Sequence, residues 1–114
     1  MHELSLATSI LDVAAAQLAA AGRTRLLRVE VAVGELAAVL PDNLAFCFEV
    51  LAEDRPALAG AHLDVQVRPL MVRCRDCGGE AHPPRPVMRC PACGSSRVEV
   101  SSGQELEIVA LEVE

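Results

Sequence analysis

Leu4, Ala7, Leu11, Ala14, Leu18 and Ala21 recur at a spacing of roughly 3.5 residues, the period of one face of a helix. Gly22 stands where such a helix would stop, so the pattern predicts a first helix over about 4–21. Met1, His2 and Glu3 are left at its open amino end. Leu27, Val29, Val31 and Val33 then alternate with Arg28, Glu30 and Ala32, which is strand periodicity, until Gly34 breaks it. Pro41 suits the first turn of a second helix. Its apolar face is Leu44, Cys47, Phe48 and Leu51, and it gives way to the charged run Glu53, Asp54, Arg55 and Pro56. Leu63, Val65 and Val67 alternate as a second strand. A last strand begins at Glu105. Its apolar phase slips from Leu106 and Ile108 to Leu111 and Val113, which predicts a bulge near Val109 or Ala110.

The order helix, strand, helix, strand, insertion, strand predicts a small α/β (α+β) fold, with two helices packed on a three-stranded sheet. The insertion, about residues 70–100, differs in character. It holds four of the five cysteines together with Pro83, Pro84, Pro86 and Pro91. The expected organisation is a domain made of residues 1–69 together with 101–114, and a protruding cysteine module over 70–100. No internal repeat appears beyond the two cysteine pairs.

Composition narrows the function classes. The chain has 114 residues, enough for one domain with a modest core. Phe46 and Phe48 are its only aromatic residues, so Leu, Val, Ile and Ala must build the core. The formal charge is −6, and every basic residue is Arg. That balance argues against a nucleic-acid binder, the role many small zinc modules play. No apolar run reaches the ~18 residues that suggest a membrane span. The amino terminus also lacks the basic stretch and hydrophobic core of a secretory signal. The expected compartment is the cytoplasm, where paired cysteines hold metal more often than they form disulfides.

Cys74-Arg75-Asp76-Cys77-Gly78 and Cys90-Pro91-Ala92-Cys93-Gly94 form two C-x2-C turns with twelve residues between them. Each turn can aim two sulfurs at one point, and the glycine that follows lets backbone amides approach those sulfurs. Together they supply the four thiolates of a tetrahedral zinc site. Such a site is closed to substrate water and would fold the module instead of catalysing, since about thirty residues hold too little core to fold otherwise. A rubredoxin-like iron site, a redox dithiol and a disulfide pair are the alternatives. Iron would use the same four ligands. Arg73, Arg75 and Arg89 can either offset the charge of four thiolates around a dication or simply solvate the module. The run from His82 to Pro86 reads as a stiff, extended connector. Cys47 sits on the apolar face of the second helix and reads as core.

At the amino terminus, the Met1 amine, the His2 imidazole and the intervening His2 amide offer three nitrogen donors. With the amide deprotonated they form fused chelate rings in a plane, which suits Ni(II) or Cu(II) and suits zinc poorly. Glu3 adds an amide or a carboxylate. A solvated end is the competing reading of the same residues, with Glu3 complementing the helix dipole. His62 reads as surface, and His82 as a connector residue.

Met1-His2-Glu3 opening a helix, the paired cysteines and the closing run from Ser102 to Ile108 together resemble the HypA/HybF family of hydrogenase maturation factors. Val33-Gly34-Glu35-Leu36 and Pro41-Asp42-Asn43-Leu44 fit the same pattern, so the resemblance spans essentially the whole chain. It implies a non-enzymatic nickel metallochaperone with a nickel-binding α/β domain and a separate zinc domain. The nickel site would centre on His2 with Glu3 beside it, and Cys74, Cys77, Cys90 and Cys93 would hold structural zinc. It further implies a HypB-like GTPase partner and delivery of nickel to the nickel–iron hydrogenase large-subunit precursor. Some lineages also serve urease maturation, which would bring urease accessory proteins as partners. A zinc-ribbon protein-interaction module without nickel transfer is the alternative, and an iron-bearing electron carrier is a third class. No nucleophile–base constellation and no phosphate-cradling loop is visible, so the chain is not expected to be an enzyme.

Overall fold

The computed structural model describes residues 2–83 and 87–114. Its elements run α1 (His2–Ala20), β1 (Leu26–Gly34), a 3-10 turn (Glu35–Ala37), α2 (Pro41–Ala52), β2 (His62–Arg68), β3 (Met71–Cys74), β4 (Glu80–Ala81), β5 (Val98–Ser102) and β6 (Leu106–Val113). The fold is mixed α+β, with two helices and two three-stranded sheets ordered β2-β1-β6 and β4-β3-β5. Two compact units result. One comprises Met1–Ala32, Val39–Gln66 and Glu107–Glu114; the other comprises Val33–Ala38 and Val67–Leu106.

In the first unit α1 packs against α2. The buried stripe of α1 is Ala7, Ile10, Leu11, Ala14 and Leu18, and that of α2 is Leu44, Phe48 and Ala52. Leu4, which the helical period places on the inner face, is 45% exposed near the amino end of α1, which begins at His2. Phe48 is fully buried and contributes on the order of 2–3 kcal/mol of apolar burial. Helix α1 ends on paired backbone bonds, Arg23 N–H to the Leu18 carbonyl and Gly22 N–H to the Ala19 carbonyl, which satisfy its last carbonyls. By length and composition α1 could cross a membrane, but its apolar stripe is spent on this core while Ser5, Thr8, Asp12 and Gln17 face outward.

β1 is the middle strand of its sheet, and Leu26, Val29, Val31, Ala32 and Val33 are buried along it. Across the sheet Arg28 pairs with Glu30, Asp64 and Glu112, one carboxylate from each strand. In β6 the half-buried positions are Ile108, Leu111 and Val113, with exposed Val109 and Ala110 between the first two. The inward phase therefore slips where the sequence predicts it. Leu106, by contrast, is 53% exposed, so the inward pattern starts only at Ile108.

The second unit has a sheet that apolar periodicity does not announce. β3 pairs antiparallel with β4 and with β5, Val72 lying opposite Ala81 on one side and Val100 on the other. These strands are short and carry Arg73, Glu80 and Glu99 among their few apolar residues, so no alternating run is long enough to read. Opposite Met71 and Val72 the β5 partner steps from Ser102 to Val100. Ser101 is the extra residue of that bulge, and its hydroxyl donates to the Met71 carbonyl at 3.2 Å. Of the proline connector, Pro83 is buried, and Pro84, Arg85 and Pro86 lie outside the described residues.

Val33–Ala38 joins this unit because Gly34 and Gly103 meet backbone to backbone. Gly34 N–H donates to the Glu105 carbonyl at 2.7 Å, and Leu36 N–H to the Gly103 carbonyl at 2.9 Å. A Cβ on Gly34 would stand 2.0 Å from the Gly103 oxygen, although Gly34 itself has an ordinary extended backbone with φ −71°. The demand for glycine is thus one of space. Gly34→Ala must push two backbones apart and should lower stability by about 3 kcal/mol, the upper end of overpacking costs. Denaturant unfolding should show this as a lower midpoint at an unchanged slope.

Candidate metal centre

The cysteine turns are built by short backbone bonds. β3 delivers Cys74, whose N–H donates to the Gly79 carbonyl at 2.9 Å, and Gly78 N–H closes the turn onto the Cys74 carbonyl at 3.0 Å. The second turn repeats the pattern, with Cys90 N–H to the Ser95 carbonyl at 2.9 Å and Gly94 N–H to the Cys90 carbonyl at 2.8 Å. Gly78 and Gly94 share φ +75°, a left-handed conformation that costs glycine nothing. The amides of Asp76 and Cys77 both reach the Cys74 sulfur at 3.4 Å.

The four sulfurs of Cys74, Cys77, Cys90 and Cys93 lie within 4.8 Å of one another. Between the pairs, Cys74 and Cys93 are 3.6 Å apart and Cys77 and Cys90 are 3.7 Å apart. A tetrahedron with zinc–sulfur bonds of ~2.3 Å has edges of about 3.8 Å, so the donor set fits zinc in number, type and spacing. Cys74 and Cys90 are buried, while Cys77 and Cys93 are exposed.

Each pair also splits in acidity. The Cys77 amide beside Cys74 brings that thiol down to about 7, and the Cys93 and Ala92 amides pull Cys90 down in the same way. At Cys77 the Gly79 amide acts to lower the thiol, but the Cys90 and Cys74 sulfurs outweigh it and the net shift is upward. At Cys93 the Ser95 amide likewise loses to the Cys74 and Cys90 sulfurs, which push that thiol up to about 12. One member of each turn is therefore the more acidic thiol and the other the less acidic, because neighbouring negative charge opposes a second ionisation.

Side chains join the two turns outside the sulfurs. The Ser95 hydroxyl donates to Asp76 Oδ2, Arg97 Nη1 lies 3.1 Å from Asp76 Oδ1, and Arg97 N–H donates to Ser95 Oγ at 3.0 Å. Arg75 N–H donates to the Arg97 carbonyl at 2.8 Å, and its guanidinium pairs with Glu99. Arg73 sits 4.0 Å from Glu80. Two of the three arginines next to the cysteines thus face carboxylates. Sequence reasoning missed the Asp76, Ser95 and Arg97 set, although Asp76 between two cysteines and a serine just past Gly94 are the signal that marks it.

Elsewhere, His82 is not among the clustered ligands. Its Nε2 lies 3.7 Å from Glu35, whose carboxylate accepts the Leu70 N–H at 2.8 Å. His62 is exposed beside Glu49, and Cys47 is half-buried on α2. At the amino end, Met1 and the side chain of His2 lie outside the described residues, while the His2 backbone opens α1. Glu3 is half-buried, and its Oε2 accepts the N–H of Leu40, the residue that caps α2, at 3.3 Å. Through that bond Glu3 ties the start of one helix to the start of the other.

Residues 1–113 match the family model described as "Hydrogenase/urease nickel incorporation, metallochaperone, hypA". The chain belongs to the HypA family. It is 42% identical to the hydrogenase maturation factor HypA of Chloroflexus aurantiacus over 113 residues, covering 98% of each chain. It is 36% identical to that of Desulfosudis oleivorans over 114 residues, covering 99% of this chain and 98% of the relative. A solution structure titled HypA protein superimposes with a TM-score of 0.74 at 25% identity, over 100% of this chain and 97% of that one. The solution structure of the nickel metallochaperone HypA from Helicobacter pylori shares the fold, with a TM-score of 0.69 at 24% identity over 97% and 96% of the two chains. HypA members are metallochaperones and maturation factors, and this four-cysteine cluster is of the zinc-binding kind.

The split acidities set a proton count for this HypA-family chain. Loading zinc near pH 8 must displace the protons held by Cys77 and Cys93, whose thiols are raised, whereas Cys74 is ionised above about 7 and Cys90 is shifted downward in the same direction. Calorimetry in buffers of differing ionisation enthalpy should therefore report release of fewer than the four protons of ordinary thiols, and no fewer than about the two of Cys77 and Cys93, per zinc near pH 8. Affinity should rise with pH, and more steeply below 7, where Cys74 too must lose its proton.

Proposed function

We propose that this chain binds Ni(II) at its amino terminus and delivers it to the nickel–iron hydrogenase large-subunit precursor, with zinc held structurally by Cys74, Cys77, Cys90 and Cys93. The observation that carries the reading is the family match from residue 1 to residue 113, which takes in both the Met1-His2-Glu3 opening and the cysteine turns. Met1 supplies an amine, His2 an amide and an imidazole, and Glu3 a further oxygen or nitrogen. Planar nitrogen ligation of this kind suits Ni(II). The Glu3 bond to Leu40 supports the reading from the structural side, because it places the start of α1 next to the start of α2 instead of leaving it free.

In this reading the labour divides by ligand chemistry. The terminal donors are few and open, so they can release their metal to an acceptor. The four thiolates form a closed set that leaves no position for a substrate or water. Residues 1–69 with 101–114 act as the nickel-handling domain and residues 70–100 as the zinc module. A HypB-like GTPase and, in lineages with urease, urease accessory proteins are the partners that fit a cytoplasmic carrier with no catalytic role of its own.

The test is calorimetric titration of Ni(II) into untagged, zinc-loaded protein, beside His2→Ala and a version with one residue added before Met1. The expected result is nickel binding in the native protein that both changes abolish. The extension matters because it removes the free Met1 amine from position without touching a side chain. Equal binding in all three proteins would move the nickel site elsewhere and defeat the assignment.

A further inference from the structure

A protein that carries one metal and is folded by another must keep the two apart. The relevant difference is geometric: four thiolates hold zinc as a tetrahedron, whereas Ni(II) favours a square plane. In a tetrahedral site built from two C-x2-C turns the two sulfur pairs are crossed. Turning one pair through about 90° about the line joining the pairs converts the tetrahedron into a plane, with bonds of ~2.3 Å then placing sulfurs about 3.2 Å apart along the edges and about 4.6 Å across. Whatever resists that rotation favours zinc over nickel.

We infer that Asp76 is the positioning residue that resists it. Its carboxylate lies in the first turn and reaches across to the second, accepting the Ser95 hydroxyl on Oδ2 and facing Arg97 Nη1 at 3.1 Å on Oδ1. Each partner is itself fixed to the backbone around the sulfurs. The Ser95 carbonyl accepts the Cys90 N–H, the Arg97 carbonyl accepts the Arg75 N–H, and Arg97 N–H donates to Ser95 Oγ. Two of the cross-turn sulfur distances, 3.6 and 3.7 Å, are closer to the ~3.8 Å edge of a zinc–sulfur tetrahedron than to the ~3.2 Å edge of a plane. The latch bridges the same two turns without passing through a sulfur, so it holds them crossed whichever metal arrives. Loss of Asp76 leaves both pairs intact as ligands and frees their mutual rotation. Exchange of Ni(II) for zinc is a ligand substitution in which one dication leaves as the other enters and the four thiolates keep their charge.

This inference rests on the proposed nickel-carrier reading only for its biological purpose; the chemistry concerns the cysteine turns. The experiment therefore uses zinc-loaded protein in a His2→Ala background, which removes the terminal site. Excess Ni(II) is added, zinc release is followed with a chromogenic chelator, and nickel–thiolate charge-transfer absorption is recorded. Asp76→Ala and Ser95→Ala should each speed zinc release roughly 10–100-fold, the usual cost of losing a partner just outside the ligands, and both should develop the nickel–thiolate bands. The double variant should be no faster than the faster single one, because the two groups form one latch. Arg73→Ala, whose ion pair among the described residues is the long one with Glu80 and which makes no contact with Asp76, Ser95 or Arg97 there, should behave as the parent does. Cobalt-substituted samples check that each variant still forms a tetrahedral four-sulfur site. If tetrahedral Asp76→Ala and Ser95→Ala proteins release zinc and exclude nickel as the parent does, the latch assignment is wrong. Failure of the terminal site in the separate calorimetric test would leave this result untouched.

Discussion

Four sulfur atoms within 4.8 Å of one another cannot all carry charge without a cation among them, and most of the second unit is arranged around that constraint. Amides from Asp76 and Cys77 point at Cys74, and glycines at 78 and 94 take the backbone turn that makes such approaches available. These dipoles lower two of the thiols, and mutual repulsion raises the other two. The sheet β4-β3-β5 is too small to fold on its apolar surface alone, since Val72 and Cys74 are its only fully buried residues. Its strands hold together because Cys74 ends β3, and the backbone bond from Arg75 to Arg97 carries the first turn to the entrance of β5. The same backbone bonds thus gather the cysteines and pair the strands.

The first unit follows a different rule. Its buried residues are the aliphatic side chains of α1, α2 and β1 together with one aromatic ring, Phe48, and α1 packs on α2. Charge is used there for alignment more than for energy: Arg28 serves three strands from a half-exposed position, and such pairs contribute little individually in water. Glu3 is a similar case, a carboxylate whose bond to Leu40 ties the first turn of α1 to the start of α2.

Much of this was legible from residue order because the physics is local. Helical stripes and strand alternation report which face meets the core, and they recover α1, β1, α2, β2 and β6 to within a few residues. The pairs Cys74/Cys77 and Cys90/Cys93 are legible because only close spacing with a following glycine lets two sulfurs face one point. What the sequence hid is non-local. The strands β3, β4 and β5 exist through pairing across gaps in the chain, with Arg73 opposite both Glu80 and Glu99, and no run of residues announces them. Gly34 read as the end of a strand, yet its reason is the Gly103 backbone 69 positions later, which no periodicity can report. Asp76 was visible only as a spacer between two ligands, because its role depends on Ser95 and Arg97.

On the proposed reading, the contrast between the amino terminus and the internal cysteine turns lets one protein keep both kinds of site. A closed thiolate set gains its permanence from having its geometry fixed from outside, and the Asp76 bridge does that with groups that never touch the metal. The proposed terminal site, built on an amine and an imidazole, offers few donors, and the start of the helix that follows is tied to the start of α2 through the Glu3 bond to Leu40. On that reading, release from few terminal donors requires little structural work, whereas release from the cysteine turns requires rotating them against a salt bridge, a hydroxyl bond and a backbone bond together. On this view the kinetic order of the two metals follows from where the polar contacts are placed, and cargo and scaffold can share a chain of 114 residues without a barrier domain between them.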